Sequence, residues 1–224
     1  MAEFAGDKKV GQSILGPAET KFKNACVPHI PKCIETYHLT LTTILWSAGT
    51  VIFGWLAKEN IAWIWGISAM ILLQYITDLF DGAVGRYRDT GLVKWGFFMD
   101  HFLDFIFSCS LVVAYAMMAP DGMTYYFFGL IICSGAFMVN SFLNFASTNE
   151  FEIFFYGIGP TEVRVGYIAM NTIIFFLDTG IFKIWVPVLL IINVIALTFM
   201  IWKSQWKLWQ IDMEAKKEKD SKAT

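Results

Sequence analysis

The sequence predicts an all-α integral membrane protein: a six-transmembrane-helix bundle with an N-terminal juxtamembrane amphipathic helix. The first observation is composition, since 56% of the 224 residues are hydrophobic and only 16% are charged, which is too apolar for an ordinary soluble domain. The second is that apolar segments of about 20 residues recur along the chain, which is the length that a helix needs to cross a bilayer. The third is that many tryptophans lie near the ends of these segments, as the aromatic belts of membrane proteins place them.

Six segments have roughly spanning length. They cover residues 38–57, 61–80, 93–118, 125–146, 165–177 and 182–202. The fifth is short for a span, so we expect its helix to begin before residue 165. The chain therefore divides into a cytosolic N-terminal tail with an interfacial helix (residues 1–37), a six-span membrane domain (residues 38–202) and a cytosolic basic tail (residues 203–224).

The two ends of the chain are polar. Residues 16–37 mix Lys, Glu and apolar side chains around Pro17, Pro28 and Pro31, a pattern typical of a broken amphipathic helix on a membrane surface. Before Pro17 a solvated tail fits equally well. The last ten residues, AKKEKDSKAT, predict a disordered cationic tail near anionic lipid head groups.

Basic residues are distributed unevenly among the predicted loops. With the N-terminus in the cytosol, the cytosolic segments hold 15 of the 17 Lys and Arg residues, and the outer loops hold only Lys58 and Lys183. Cytosolic loops of membrane proteins carry such an excess of positive charge. This distribution places both termini on the cytosolic side, together with the acidic motif described next.

Four carboxylates lie at the ends of two apolar segments: Asp78, Asp81, Asp100 and Asp104. Ionisable residues at membrane depth are costly and usually mark a functional site. The first pair is three residues apart and the second pair is four apart, so each pair lies on one face of its helix. Two such pairs on neighbouring antiparallel helices would form a cage of hard oxygen ligands that suits Mg2+, Mn2+ or Ca2+. Helix caps or ion-paired anions are the alternative, which suits one or two aspartates better than four.

The same stretch resembles the motif of the CDP-alcohol phosphotransferases, membrane enzymes of phospholipid synthesis. The family pattern is close to D-x2-D-G-x2-A-R-x8-G-x3-D-x3-D, and the positions that match it here are Asp78, Asp81, Gly82, Arg86, Gly96, Asp100 and Asp104. Two positions depart from the pattern. Gly85 stands where the family has Ala, and nine residues rather than eight separate Arg86 from Gly96, which lengthens the loop between the two helices.

The resemblance implies a role for each matching position. It makes Asp78, Asp81 and Asp100 the main ligands of one or two Mg2+ or Mn2+ ions. It makes Asp104, a member of the same metal cluster, the base that takes a proton from the acceptor. Chemistry alone supports only that one carboxylate within hydrogen-bond reach could be that base. The resemblance further assigns nucleotide and diphosphate binding to Asp78, Asp81, Gly82, Gly85, Arg86 and Gly96, with Gly82 at the end of the second helix and Gly85 in a compact turn.

Polar residues outside the acidic motif can be interpreted in two ways. Asn140 and Asn144 are candidates for the acceptor pocket, because polar groups in a span normally face the bundle interior. Arg164 is a third candidate, because it is the only cation in the loop before the fifth segment and could attract an anionic head group. The two asparagines would serve equally well as hydrogen bonds between helices. Gln74 and Asn171 are better interpreted as such interhelical hydrogen-bonders.

Two short features are similar to the choline and ethanolamine phosphotransferases. His101 follows the third aspartate, and residues 159–162 read GPTE. A single histidine near the membrane interface is more often a local hydrogen-bond partner than a catalyst, so we assign it no chemistry.

The sequence thus favours a membrane enzyme that moves a substituted phosphate group from a CDP-alcohol to an acceptor hydroxyl, with release of CMP. The donor is either CDP-diacylglycerol or CDP-choline or CDP-ethanolamine, and neither class is favoured. We expect the donor, an alcohol or lipid acceptor and membrane lipids as partners, and no nucleic acid; a homodimer is left open. The alternative is a cation transporter or channel built on the Asp cluster, although the sequence has no internal repeat or paired broken helices.

The charge asymmetry generates a prediction about sidedness. Reporter fusions at Thr224 and in the loop at residues 120–123 should report opposite sides of the membrane, because an even number of spans returns the C-terminus to the side of the basic loops. Protease protection or a side-specific fluorescent reporter would measure this. Finding both reporters on one side would refute the six-span topology.

Overall fold

The structure, a computed structural model, describes residues 9–10, 15–148, 151–152 and 159–222. Within these ranges the helices are α1 (Gly16–Cys26), α2 (Thr36–Ala57), α3 (Ile64–Arg88), α4 (Val93–Met118), α5 (Thr124–Thr148), α6 (Pro160–Leu177) and α7 (Phe182–Lys222). Short 3-10 turns lie at Val27–His29, Ile61–Trp63 and Thr179–Ile181. Two-residue strands β1 (Lys9–Val10) and β2 (Phe151–Glu152) pair in parallel. The predicted all-α membrane bundle is confirmed.

Five of the described helices are long and apolar enough to cross a membrane: α2, α3, α4, α5 and α7. Helix α6, which contains the fifth predicted segment, is shorter and is not among them, so the fifth span and the count of six stay predictions. Its contacts show that it runs antiparallel to α3, because Arg164 near its start pairs with Asp78 and Asn171 further along bonds to Ser68. Helix α6 is therefore packed inside the bundle and not laid across its end.

The buried face of α2 consists of small residues. They recur every three or four positions, and they are Thr36, Thr40, Thr43, Ser47, Thr50, Gly54 and Ala57. Leu45, Ile52 and Trp55 lie on the opposite face and are more than half exposed, which suits contact with lipid. Small side chains let helix backbones approach closely, and α2 packs along both α3 and α4.

A hydrogen-bonded network joins three helices in the half of the bundle away from the acidic motif. The Nδ2 of Asn171, which is fully buried, donates to Ser68 Oγ at 2.9 Å, and its Oδ1 accepts from the Tyr115 hydroxyl at 2.7 Å. Buried polar groups stabilise a packed interior only when they are paired. The interpretation of Asn171 as an interhelical hydrogen-bonder is confirmed.

Helix α3 runs further than the second predicted span. It continues to Arg88 instead of ending at residue 80, so Gly82, Gly85 and Arg86 are helical and not part of a turn. Gly85 lies against a neighbouring helix. A Cβ at Gly85 would stand 3.2 Å from the Thr36 hydroxyl oxygen on α2.

Helix α7 also passes its predicted limit. It runs unbroken over 41 residues to Lys222, so residues 215–222 are helical and the expectation of a disordered tail is wrong for them. Lys, Glu and Ala are strong helix formers, which explains why the helix does not stop at the end of its apolar part. A helix of this length spans about 60 Å, twice the hydrocarbon thickness of about 30 Å, so its basic end projects beyond the bundle.

The close approach of α2 to α4 can be tested at Gly54. A Cβ added there would lie 2.5 Å from the Cβ and 2.6 Å from the Cα of Ala114. Gly54→Ala should therefore force the helices apart and destabilise the protein by about 1–3 kcal/mol, seen as a lower midpoint of thermal unfolding in detergent. Gly166→Ala is the matched control, since nothing lies within 4 Å of a Cβ at that helical position. Equal midpoints for the two variants would contradict the packing.

Candidate active site

The acidic motif lies where α3 ends and α4 begins. The connection covers residues 89–92, and two of them have left-handed backbones: Asp89 with a φ of 52° and Gly91 with a φ of 68°. Left-handed residues after a helix reverse the chain sharply, and glycine adopts this conformation without steric cost. The reversal brings the C-terminal half of α3 and the N-terminal half of α4 to the same end of the bundle.

Three of the four carboxylates form a compact group. Asp78 of α3 and Asp100 and Asp104 of α4 each offer one oxygen, and these oxygens lie within 4.8 Å of one another. Like charges at this distance repel unless a cation lies between them. Oxygen ligands of this kind suit Mg2+ or Mn2+, so the donor set fits the divalent metal that the sequence predicts.

The fourth carboxylate, Asp81, is not part of this group. It is buried, and its Oδ2 accepts a hydrogen bond from the Thr40 hydroxyl of α2 at 2.8 Å. Its Oδ1 accepts from the backbone N–H of Gly82, and its carbonyl accepts from the Thr36 hydroxyl at 2.6 Å. The structure therefore brings together three of the four predicted ligands, Asp81 lies apart from them, and metal binding by all four stays a prediction.

Arg164 enters the carboxylate group from α6. Its Nη2 lies 2.8 Å from Asp78 Oδ2 and 3.5 Å from Asp104 Oδ1, and the guanidinium stands 5.8 Å from the centre of the Tyr75 ring. Only 12% of its side-chain surface is exposed. Arg164 is thus a partner of two aspartates, which joins α6 to both halves of the motif.

Helix α1 is held against this end of the bundle by hydrogen bonds. One oxygen of Glu19 accepts from the Tyr75 hydroxyl at 2.9 Å and from the Thr161 hydroxyl at 2.6 Å. Glu162 accepts from the backbone N–H of Leu15 at 3.2 Å and from that of Gly159 at 2.8 Å. The GPTE segment therefore begins α6 and connects it to α1, which explains its composition without a catalytic role.

A cavity of about 1130 Å3 opens at this end of the molecule. Helices α1, α2, α3, α4 and α6 all contribute to its wall. The wall includes the predicted nucleotide-site residues Asp78, Asp81, Gly82, Gly85, Arg86 and Gly96, and also Asp100, His101 and Arg164. The fold thus collects in one space residues that are up to 86 positions apart in the chain, counted from Asp78 to Arg164.

The lack of a side chain at Gly82 leaves room for the Arg86 guanidinium in the cavity wall. A Cβ at Gly82 would lie 3.2 Å from Arg86 Nη1, so a larger residue would displace the guanidinium. A Cβ at Gly96 would meet nothing within 4 Å, which leaves that part of the wall open.

The two asparagines of the predicted acceptor pocket are not at the cavity. Asn144 Nδ2 donates to Ser204 Oγ of α7 at 2.8 Å, so it joins α5 to α7. Asn140 does not line the cavity either, and its Nδ2 is buried without a hydrogen-bond partner among the described residues. Of the three candidates, only Arg164 faces the cavity.

Two other basic residues of the region have structural partners. Arg88 donates to the carbonyl oxygens of Ile30 and Pro31, each at 3.0 Å, and so ties the segment before α2 to the end of α3. His101 lies with its Nδ1 2.7 Å from the carbonyl oxygen of Phe97.

Sequence reasoning missed several residues of the site. Thr40 binds Asp81 of the motif, Tyr75 lies beside Arg164, and Glu19 binds Tyr75. None of the three belongs to the motif. The signal for Thr40 was present in the repeat of small residues along α2, which indicates a buried face. Nothing comparable marks Tyr75 or Glu19, because their partners come from distant segments.

A group of carboxylates that suits a divalent cation lies beside an arginine-lined cavity, inside a helical membrane bundle. This combination is typical of one class of protein: a membrane enzyme that handles phosphorylated substrates. Residues 37–202 match the family model of CDP-alcohol phosphatidyltransferase, and the chain belongs to this family. It is therefore a transferase of phospholipid biosynthesis in the membrane, from a family that uses divalent metals. No curated protein and no solved structure gives a significant match to the chain.

Proposed function

We propose that this protein transfers a substituted phosphate group from a CDP-alcohol to an acceptor hydroxyl and releases CMP. The observation that carries the proposal is the group formed by Asp78, Asp100 and Asp104. It belongs to the same site as a cavity whose lining includes Arg86, Gly82, Gly85 and Gly96. A transporter built on the cluster is not favoured, because the chain belongs to a family of transferases.

The chemistry balances as a single displacement. The acceptor oxygen forms a bond to the phosphorus that bears the donor's alcohol, and the bond from that phosphorus to the bridging oxygen breaks. The bridging oxygen leaves with CMP, and the acceptor's proton passes to a carboxylate. A bound divalent cation, Mg2+ or Mn2+, would neutralise phosphate oxygens and so lower the barrier.

The residues divide between binding and proton transfer. Asp78, Asp81 and Asp100 would hold the metal, with Asp104 also in the cluster. Asp104 would take the proton, since a positioned carboxylate can act as a general base. The diphosphate and cytidine would bind along the wall formed by Gly82, Gly85, Arg86 and Gly96, where Arg86 offers a planar fork for phosphate oxygens.

Substrates and sidedness belong to the proposal. The donor is CDP-diacylglycerol with a polar acceptor, or CDP-choline or CDP-ethanolamine with diacylglycerol. The 15-to-2 distribution of basic residues favours a cytosolic active site and cytosolic termini. In support, α1 and the start of α6 lie at the same end of the bundle as the aspartates.

The proposal is tested by CMP release from purified protein in detergent or vesicles. A panel of CDP-alcohols and acceptors should yield CMP with at least one pair in the presence of Mg2+ or Mn2+. Excess chelator should abolish release and either metal should restore it, because the carboxylates need a cation between them. Full turnover in excess chelator would contradict the metal mechanism, and no CMP with any pair would contradict the reaction.

Single substitutions separate the base from the ligands. Asp104→Asn should keep donor binding and lower turnover by at least about 10²–10⁴-fold, the typical contribution of a positioned base. Asp78→Asn, Asp81→Asn and Asp100→Asn should also weaken metal and nucleotide binding, because each removes a charge next to the ion. Calorimetric donor binding and single-turnover rates measure the difference. Loss of donor binding in Asp104→Asn, or near-native turnover, would remove Asp104 from the role of base.

A further inference from the structure

Gln74 contacts the proposed base directly. It lies on α3, four residues before Asp78, and its side chain is fully buried. Its Nε2 donates to Asp104 Oδ1 at 2.8 Å. Because a carboxylate oxygen can only accept, the amide must present its NH2 group to Asp104. The contact joins α3 to α4 at the last aspartate of the motif.

The other end of the same amide has no comparable bond. Gln74 Oε1 is buried and has no hydrogen-bond partner among the residues that the structure describes. A buried acceptor left without a partner costs stability, and an apolar side chain of similar size would avoid that cost. Asn171 provides the contrast, since its amide is as deeply buried but bonds at both ends. Because the unpaired Oε1 lowers stability, packing and helix association do not explain a glutamine at this position, and the hydrogen bond to Asp104 does.

Gln74 and Arg164 lie against the same oxygen of Asp104. Arg164 Nη2 is 3.5 Å from Asp104 Oδ1 and only 2.8 Å from Asp78, so the shorter contact to Asp104 is that of Gln74. A hydrogen bond from α3 and an ion pair from α6 at one oxygen restrict rotation of the carboxylate. A neutral amide does this without adding a second positive charge beside a group that must accept a proton.

We propose that Gln74 is a positioning residue, which orients the Asp104 carboxylate for proton transfer from the acceptor hydroxyl. This inference rests on the proposed role of Asp104 as base. It adds a residue outside the acidic motif to the machinery of the reaction.

The test replaces Gln74 with methionine, which has similar length and no amide. Gln74→Met should lower kcat by about 10–100-fold, the usual effect of losing a partner that orients an active-site ligand, with KM for the donor little changed. Its thermal midpoint should stay the same or rise, because the buried Oε1 is removed with the amide. A residue that only stabilises the fold would show the reverse: its loss would lower the thermal midpoint and leave kcat unchanged.

Asn171→Leu is the matched control, because it also removes a fully buried amide that joins helices. It should lower the thermal midpoint and leave kcat per folded enzyme unchanged. If Gln74→Met behaves like this control, or keeps full kcat, the proposal is overturned.

A double substitution separates this proposal from the role given to Asp104. In the Asp104→Asn background, Gln74→Met should cause no further loss, since residues that act as a unit are not additive. A further loss of the same size would place Gln74 elsewhere in the mechanism and overturn the proposal. If Asp104→Asn alone keeps near-native turnover, the proposed base is wrong and Gln74 falls with it. If Asp104→Asn is inactive and Gln74→Met is fully active, only the positioning role fails.

Discussion

Mutual repulsion among carboxylates in an apolar bundle is the constraint on which this structure depends. Asp78, Asp100 and Asp104 hold oxygens within 4.8 Å of one another, where like charges oppose folding unless donors or cations surround them. Two helices supply compensating groups: Arg164 comes from α6 and Gln74 from α3. The arrangement of helices at this end therefore follows from the need to surround a cluster of negative charge.

Among the described residues, the opposite half of the bundle holds no comparable carboxylate group, and there close packing determines the arrangement. Ile64, Ile67 and Ile71 on α3 are fully buried, and Gly54 lets α2 lie directly against Ala114 of α4. The one polar network described in that half, around Asn171, is completely bonded. Such a rigid half provides a firm base for the site, since active groups are held best on packed helices.

Helix α1 belongs to the site and not only to the membrane surface. Glu19 binds hydroxyls from α3 and α6 at once, and Tyr75, one of its two partners, lies beside Arg164. Glu19 and Tyr75 therefore connect α1 to Arg164, which in turn contacts the carboxylate group. The cavity thus has a wall that is added from outside the spanning helices, which leaves its lining more polar than lipid-exposed helices alone would provide.

The sequence by itself determined the class of fold, the approximate spans and the acidic motif, because these are local properties. Hydrophobic length predicts a spanning helix wherever it occurs, and spacings of three and four residues place aspartates on one helix face in any fold. Gln74 and Asn171 could also be predicted to bond between helices, since buried polar groups in spans need partners. Helix ends were predicted less well, because Gly82 and Gly85 continue α3 where a turn was expected.

Only the tertiary structure decided which side chains meet. Asp81 bonds to Thr40, whereas the three other aspartates group together. This difference depends on how α2 packs, and the spacing of the aspartates in the sequence does not predict it. Arg164 reaches Asp78 across 86 positions of the chain, and Asn144 turns away from the cavity to Ser204. These contacts depend on the rotation of each helix about its own axis. That rotation is set by the packing of all its neighbours together, such as the small residues along α2, and not by any one segment.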